Sequence, residues 1–217
     1  MVELSQEAYF GTRFRADRRR TDLWRILYRH FFSFLIDPGD CVLELGAGYG
    51  SFINQVRARR RIAVDSWEGF IEQLQSGIEG RVGDATELAF LEPASVNFVF
   101  ASNLFEHLSQ AALAVILAHL KRALTPDGTI NIVQPNYYYC YREYFDDYTH
   151  TTVYSHVSLT DFLEANGYEV FDCRPRFLPL TINSRLPVSE ALIRLYLASP
   201  FKPFGKQMLL RARLPRS

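Results

Sequence analysis

The chain has 217 residues, 48% of them hydrophobic, and its 24 basic and 24 acidic side chains cancel to a net charge of zero. That is enough apolar material for one domain with a sizeable core, and the balanced charge argues against a nucleic-acid partner, which calls for a strongly basic face. The longest apolar stretch near the C-terminus contains Glu190 and Arg194 and is too short to span a bilayer, and no signal peptide is read at the start.

Cys41, Cys140 and Cys173 show neither metal-ligand nor disulfide-framework spacing. This points to a reducing compartment, the cytoplasm. The zero net charge hides basic ends: residues 1–30 hold seven Lys/Arg against four Asp/Glu, and residues 181–217 hold seven against one. An acidic centre lies between them.

Residues 1–36 read as a helical N-terminal cap. Leu23, Trp24, Ile26, Leu27, Phe31 and Phe34 fall at helical spacing, and Thr21 or Asp22 is the expected N-cap. Arg13, Arg15, Arg18, Arg19 and Arg20 precede that apolar face. Tyr9-Phe10 and Arg13-Phe14 are candidates for a lid over a bound ligand. A packed helix with a solvated arginine side is the plainer reading.

Residues 42–45 read as a buried strand bounded by Pro38-Gly39-Asp40. Gly46-Ala47-Gly48-Tyr49-Gly50 follows at once, a turn whose glycines let the backbone approach a ligand. A helix is expected from about Ser51, with Phe52, Ile53 and Val56 on its inner face. It should end in the basic run 57–61, where cations complement the helix dipole. Strand, turn and helix N-terminus together would surround a small ligand with N–H donors. A dinucleotide enzyme would show G-x-G-x-x-G. Here the third glycine comes one residue early, and Glu44 stands two residues before the first.

Residues 61–65 are the expected second strand. Beside the first strand of a doubly wound sheet, Asp65 reaches the region where a nucleoside places its ribose, with two acceptor oxygens for a vicinal diol. NAD enzymes carry an acid at similar spacing, so Asp65 does not separate the two readings. A second helix is expected over 67–75. Residues 80–85 form a short third strand and turn, with Asp84 placed to accept from an adenine amino group. Residues 95–101 are the fourth strand, and the loop 102–108 carries Asn103 and His107 at its ligand end. His107 is either a proton acceptor or a positioning group. An amphipathic helix over 111–124 closes at Thr125-Pro126-Asp127-Gly128, and the fifth strand covers 129–134.

Residues 134–158 are polar and aromatic, with Tyr137, Tyr138, Tyr139, Tyr141, Tyr144, Phe145 and Tyr148 beside Asp146, Asp147 and His150. Rings with carboxylates and a histidine suit a polar, ring-shaped acceptor such as a sugar. An irregular connection packed by its own tyrosines is the alternative. Ser158-Leu159-Thr160-Asp161 resembles a capping-box helix start, Asn166-Gly167 a stop, and residues 168–173 a sixth strand. Residues 174–205 are expected to interrupt the sheet with a short helix over 188–197, and the last strand covers 207–213. Residues 186–204 are apolar with interspersed Arg194 and Lys202, and Lys206, Arg211, Arg213 and Arg216 follow. That segment suits either peripheral contact with the anionic inner face of a membrane or burial, against the sheet or in a homodimer interface.

Glu44, Gly46, Gly48 and Gly50 (E-x-G-x-G-x-G), the Gly83-Asp84-Ala85 turn, and Leu124, Pro126 and Gly128 (L-x-P-x-G) before a strand resemble the motifs of the class I S-adenosylmethionine (SAM) methyltransferases. Tyr9-Phe10 with Arg13-Phe14, residues 145–150, Arg176-Phe177-Leu178-Pro179 and Ser184-Arg185-Leu186-Pro187 resemble a bacterial subgroup that accompanies glycosyltransferases and polysaccharide assembly. Phe105 departs from it, since many relatives carry an aliphatic residue there. The resemblance implies one α/β domain over 1–217. Its Rossmann-like, doubly wound sheet of seven strands has the last antiparallel and helices on both faces, with an N-terminal helical cap at 1–36 and a helical insertion at 174–205. It implies SAM as cofactor, with Glu44, Gly46, Ala47 and Gly48 around its methionine part, Asp65 and Ser66 at the ribose, Asp84 and Ala85 at the adenine, and Asn103 in the loop facing the methionine part. The implied activity is methyl transfer. O-methylation of a saccharide or related small molecule leads, with His150, His107 or Asp147 as the group that takes the proton. N- or C-methylation of another metabolite and a non-catalytic SAM-binding partner are the alternatives. No metal is expected, because no spaced ligand set is visible.

Overall fold

The computed structural model describes residues 17–179 and 188–216. Cys41–Leu45 forms β1, buried at every position, as a strand covered on both faces must be. It pairs in parallel with β2 (Arg60–Asp65) and β4 (Val96–Ser102), so Leu43 lies opposite Ile62 on one side and Val99 on the other. With β3 (Glu79–Val82), β5 (Leu124–Pro135), β6 (Glu169–Pro179) and β7 (Gly205–Arg213) they make a seven-stranded sheet in the order β3-β2-β1-β4-β5-β7-β6. β7 runs antiparallel to both its neighbours, β5 and β6. This is the doubly wound sheet with an antiparallel last strand that the sequence led us to expect. The strand order reverses between β1 and β4, which opens a crevice at their C-terminal ends.

Alternation along the strands feeds two cores. Leu43, Leu45, Val99 and Ala101 join one, covered by Ile116 and Leu120 of α2 (Gln110–Ala123) and by Leu159 and Leu163 of α4 (His156–Ala165). Val42, Phe98 and Phe100 join the other, beneath Trp24 and Leu27 of α1 (Arg18–His30). Rings dominate this second core: Phe52 stacks on Phe100 at 3.9 Å, and Trp24 meets Phe100 edge-on at 5.3 Å. Ile193 and Leu197 of α5 (Glu190–Ala198) pack at its margin. The short helix α3 (Tyr137–Cys140) follows β5.

Several local expectations are corrected. No α-helix follows the glycine turn: Ile53–Gln55 makes one 3-10 turn, and Val56 is already extended. From Ser51 the chain must run back along a five-residue strand, roughly 16 Å at ~3.3 Å per residue. A helix rising ~1.5 Å per residue would fall short of β2. Phe52, Ile53 and Val56 are nevertheless buried as expected. The helix expected over 67–75 is likewise a 3-10 segment, Glu68–Gln73. Asp17, rather than Thr21 or Asp22, caps α1, its carboxylate accepting from the Arg19 N–H. Phe34 is 80% exposed and Phe32 is buried in its place, because the helix gives way to a 3-10 turn over Phe32–Phe34 that shifts the phase of the side chains. Ser155 caps α4 and Ser158 is its reciprocal N3 partner, three residues later than an N-cap would sit. β5 begins at Leu124, so Thr125 to Gly128 enter the strand rather than a closing loop. β6 continues to Pro179, because β7 is long enough to pair with it as far as Gly205.

Candidate active site

The glycine turn sits at the ligand end of β1. Gly46, Gly48 and Gly50 all have positive φ, at 67°, 50° and 62°, where a Cβ costs energy. A Cβ on Gly46 would also come within 3.0 Å of the Leu104 side chain. The turn is tied to β2 by the Gly46 and Ala47 N–H groups, which donate to the Val64 carbonyl at 2.9 and 3.2 Å. Beneath it, Asp65 accepts from the Gly48 N–H and the Trp67 N–H, both at 2.8 Å, and from the Ser66 N–H. Burial raises its carboxyl above the usual range, and these N–H bonds work against that. Glu44 is buried, accepts from the Ile53 N–H at 2.9 Å, and is held by burial well above the usual carboxylate range. The two acids expected to meet the cofactor thus brace the turn itself. A carboxylate oxygen has a second lone pair for a ligand.

The rim of the turn is aromatic and basic. Tyr49 meets Trp67 edge-on at 5.1 Å. Arg18, Arg20 and Thr21 of α1 line a cleft with Tyr49 and Ser51. The first turn of α1 therefore faces the glycine turn, which the run of arginines did not disclose. The proposed lid residues, Tyr9-Phe10 and Arg13-Phe14, lie outside the described residues, as does Ser184-Arg185-Leu186-Pro187. At the end of β3, Gly83 donates to the Asp65 carbonyl at 3.0 Å, which sets Asp84 and Ala85 beside Asp65. Asp84 is exposed and accepts from the Thr86 N–H and hydroxyl at 2.8 and 2.6 Å. Asn103, just past β4, has a φ of 50°. Its N–H donates to Val133, and its side-chain oxygen accepts from Gln207 of β7 at 3.1 Å. A left-handed asparagine at the ligand end of a central strand is the kind of strain found at functional sites.

On the other side of Asn103 lies a cluster built from two distant pieces of chain. The 3-10 turn Phe105–His107 carries Glu106 and His107. The Glu106 carbonyl accepts from the N–H groups of Thr151 and Thr152 at 2.9 and 3.1 Å, and the Tyr144 hydroxyl donates to the Thr152 carbonyl at 2.7 Å. These bonds dock the segment 144–152 on the β4 loop and bring the rings of His107 and His150 to 4.8 Å. Thr149 links the cluster: its hydroxyl donates to Asp147 at 2.6 Å and lies 2.9 Å from His107 Nδ1. Burial, aided by nearby His150, pushes the His107 imidazole down to about 4. Burial raises Asp147, but the Thr149 hydroxyl and N–H and the two histidines outweigh it and hold its carboxyl below the usual range. Glu106, fully buried, is pushed up to about 8 by that burial. Around the cluster, Tyr138, Tyr141, Phe145 and Tyr148 are more than half exposed, whereas Tyr144 is buried. The structure thus brings His107, Asp147 and His150 together, and gathers Glu44, Gly46, Ala47, Gly48, Asp65, Ser66, Asp84 and Ala85 at the ends of β1 to β3. The sequence reading passed over Glu106, whose only signal is an acid next to His107.

Residues 42–128 match the family model described as a methyltransferase domain. No curated protein matches the chain. Among solved structures, a SAM-dependent methyltransferase from Archaeoglobus fulgidus superposes with a TM-score of 0.68 at 23% identity, over 96% of this chain and 99% of that one. A SAM-dependent methyltransferase from Clostridium acetobutylicum does so at 0.62 and 11%, over 96% of each chain. One from Mesorhizobium loti does so at 0.60 and 15%, over 87% and 97%. At these identities the superpositions establish the fold. Residues 42–128 therefore resemble a methyltransferase domain, set in a chain that has the fold of the SAM-dependent methyltransferases. The matched segment holds the glycine turn, Asp65, Asp84 and the loop after β4.

Proposed function

We propose that this chain transfers the methyl group of SAM to a hydroxyl of a saccharide or related polar small molecule held by residues 137–150. The observation that carries this reading is the exposed shelf of Tyr138, Tyr141, Phe145 and Tyr148 beside the His107–His150 pair. Flat ring faces suit the C–H faces of a sugar, and the imidazole of His107, kept neutral by burial, suits its hydroxyls. On the cofactor side, Glu44, Gly46, Ala47 and Gly48 hold the methionine part, Asp65 and Ser66 the ribose, and Asp84 and Ala85 the adenine. Asn103 lies between methionine part and acceptor. Transfer needs no protein nucleophile, because the sulfonium carbon is already electrophilic. Holding acceptor oxygen, methyl and sulfur in line supplies about 7–11 kcal/mol. The acceptor proton passes to an imidazole, His150 first and His107 second, for a further ~10²–10⁴-fold. Asp147, through Thr149, orients His107 and does not touch the acceptor. The role fits polysaccharide biosynthesis in the cytoplasm.

A screen of sugar nucleotides and lipid-linked sugars with labelled SAM identifies the acceptor, and the variant His150→Ala tests the assignment. Turnover should fall ~10²–10⁴-fold with SAM affinity near that of the unchanged chain. Loss of SAM affinity in this variant would make the segment a cofactor lid and sink the acceptor reading.

A further inference from the structure

We propose that Glu106, His107 and His150 form a binding site for a divalent transition-metal ion. One donor atom of each lies within 4.8 Å of the others. Ligands of a tetrahedral ion with ~2.0–2.2 Å bonds stand about 3.4 Å apart, so side-chain rotations that draw the three groups inward close the set around it.

Two further observations point to a cation. Glu106 is 0% exposed, and neither of its carboxylate oxygens has a hydrogen-bond partner among the described residues. A buried carboxylate with no partner is costly, and such a group calls for a proton, a water or an ion. The histidines supply the second observation. His150 Nδ1 lies 2.5 Å from the Tyr144 carbonyl, which only accepts, so Nδ1 carries the proton. His107 Nδ1 lies 3.2 Å from the Thr149 carbonyl and 2.9 Å from the Thr149 hydroxyl, whose own proton goes to Asp147. It therefore donates as well. Both rings are fixed in the tautomer that presents an Nε2 lone pair, with Nδ1 anchored on backbone carbonyl oxygen. Metal-binding histidines are held in this way. Two imidazoles and one carboxylate leave coordination positions open and favour zinc, iron, cobalt or manganese over magnesium or calcium. Neighbouring hydroxyls of a sugar acceptor would complete the shell. That last point rests on the acceptor reading above; binding of the ion does not, and a bound ion would take the two Nε2 lone pairs that otherwise accept the acceptor's proton.

The test uses the whole chain, freed of tags and stripped with chelator. Zinc(II) is titrated by calorimetry, and cobalt(II) is followed by its visible absorption. One ion per chain is expected for each. Glu106→Gln and His150→Gln should each weaken binding at least tenfold, while SAM affinity and melting temperature stay close to those of the unchanged chain. Absence of stoichiometric binding of either ion would overturn the proposal, as would binding that both variants retain. If the ion binds and no saccharide is methylated, the metal site stands and the acceptor reading falls. If His150→Ala abolishes saccharide methylation and neither ion ever binds, the site falls and the histidine keeps its role as proton acceptor.

Discussion

Glu44 accepts from the Ile53 N–H, and Asp65 accepts from three N–H groups of the turn and its flank. Both were read from sequence as ligand groups, and Asp65 lies at the C-terminal end of the second strand, as expected. Their bracing of the turn was hidden, because Gly48 and Ile53 meet the acids only once the chain has bent back on itself. The buried position of Glu44 has a consequence for pH. Its carboxyl is raised well above the usual value by burial, so the folded state holds a proton that the unfolded state releases first. Its contribution to stability is full below the unfolded pKa and is lost as pH rises through the folded one. Asp65, also raised, acts in the same direction. Glu44→Gln keeps an oxygen for the Ile53 N–H and removes the buried charge. In the absence of SAM it should melt a few degrees above the unchanged chain at pH 8, and the two curves should converge near pH 4. A variant that melts lower at pH 8 would mean that the negative charge stabilises the turn.

At the level of elements, strands were legible because an apolar run or alternation is a local signal. All seven occur where expected, though β5 starts five residues early and β6 runs six residues on, and α2 is within one residue of its expected span at either end. Helix starts were less legible, since several polar residues compete to cap. In α4, Ser155 and Ser158 bond reciprocally, the Ser155 N–H donating at 2.9 Å and the Ser158 N–H at 3.2 Å. Ser155→Ala should cost about 0.5–2 kcal/mol in urea unfolding. An effect much smaller than that would show that packing of Leu159 and Leu163 alone holds the helix start. The first crossover's 3-10 turn follows from the distance to be covered, which no propensity reports; the 3-10 segment Glu68–Gln73 has no such cause in the structure.

For the whole molecule, the basic C-terminal part takes on a different character in the fold. Lys206 pairs with Glu143, Arg213 with Glu169 and Arg216 with Asp127, while Arg211 lies 3.7 Å from Asp172. Lys202 donates to the carbonyls of Tyr196 and Leu197 at the end of α5. These cations serve the fold, which weakens the electrostatic case for an anionic membrane. Leu192, Leu195, Phe201 and Phe204 remain more than half exposed, and no helix among the described residues is long and apolar enough to cross a membrane. We propose that this apolar face pairs two copies of the chain. Light scattering should report a dimer, and Leu195→Asp should yield a monomer that still binds SAM. Sedimentation with anionic vesicles that weakens with salt would place the face at a membrane instead.

By itself, the sequence determined the strands, the glycine turn with its acids nearby, and hence the family the chain resembles, because each is written in residues adjacent along the chain. Tertiary structure alone decided that Glu106 and His107 stand against His150, that Arg18 and Arg20 overlook the turn, and that Lys206, Arg211, Arg213 and Arg216 are paired. Those contacts join distant segments, and backbone hydrogen bonds such as Thr151 and Thr152 to Glu106 set them. Their register depends on how the sheet, the helices and the 3-10 turns pack together.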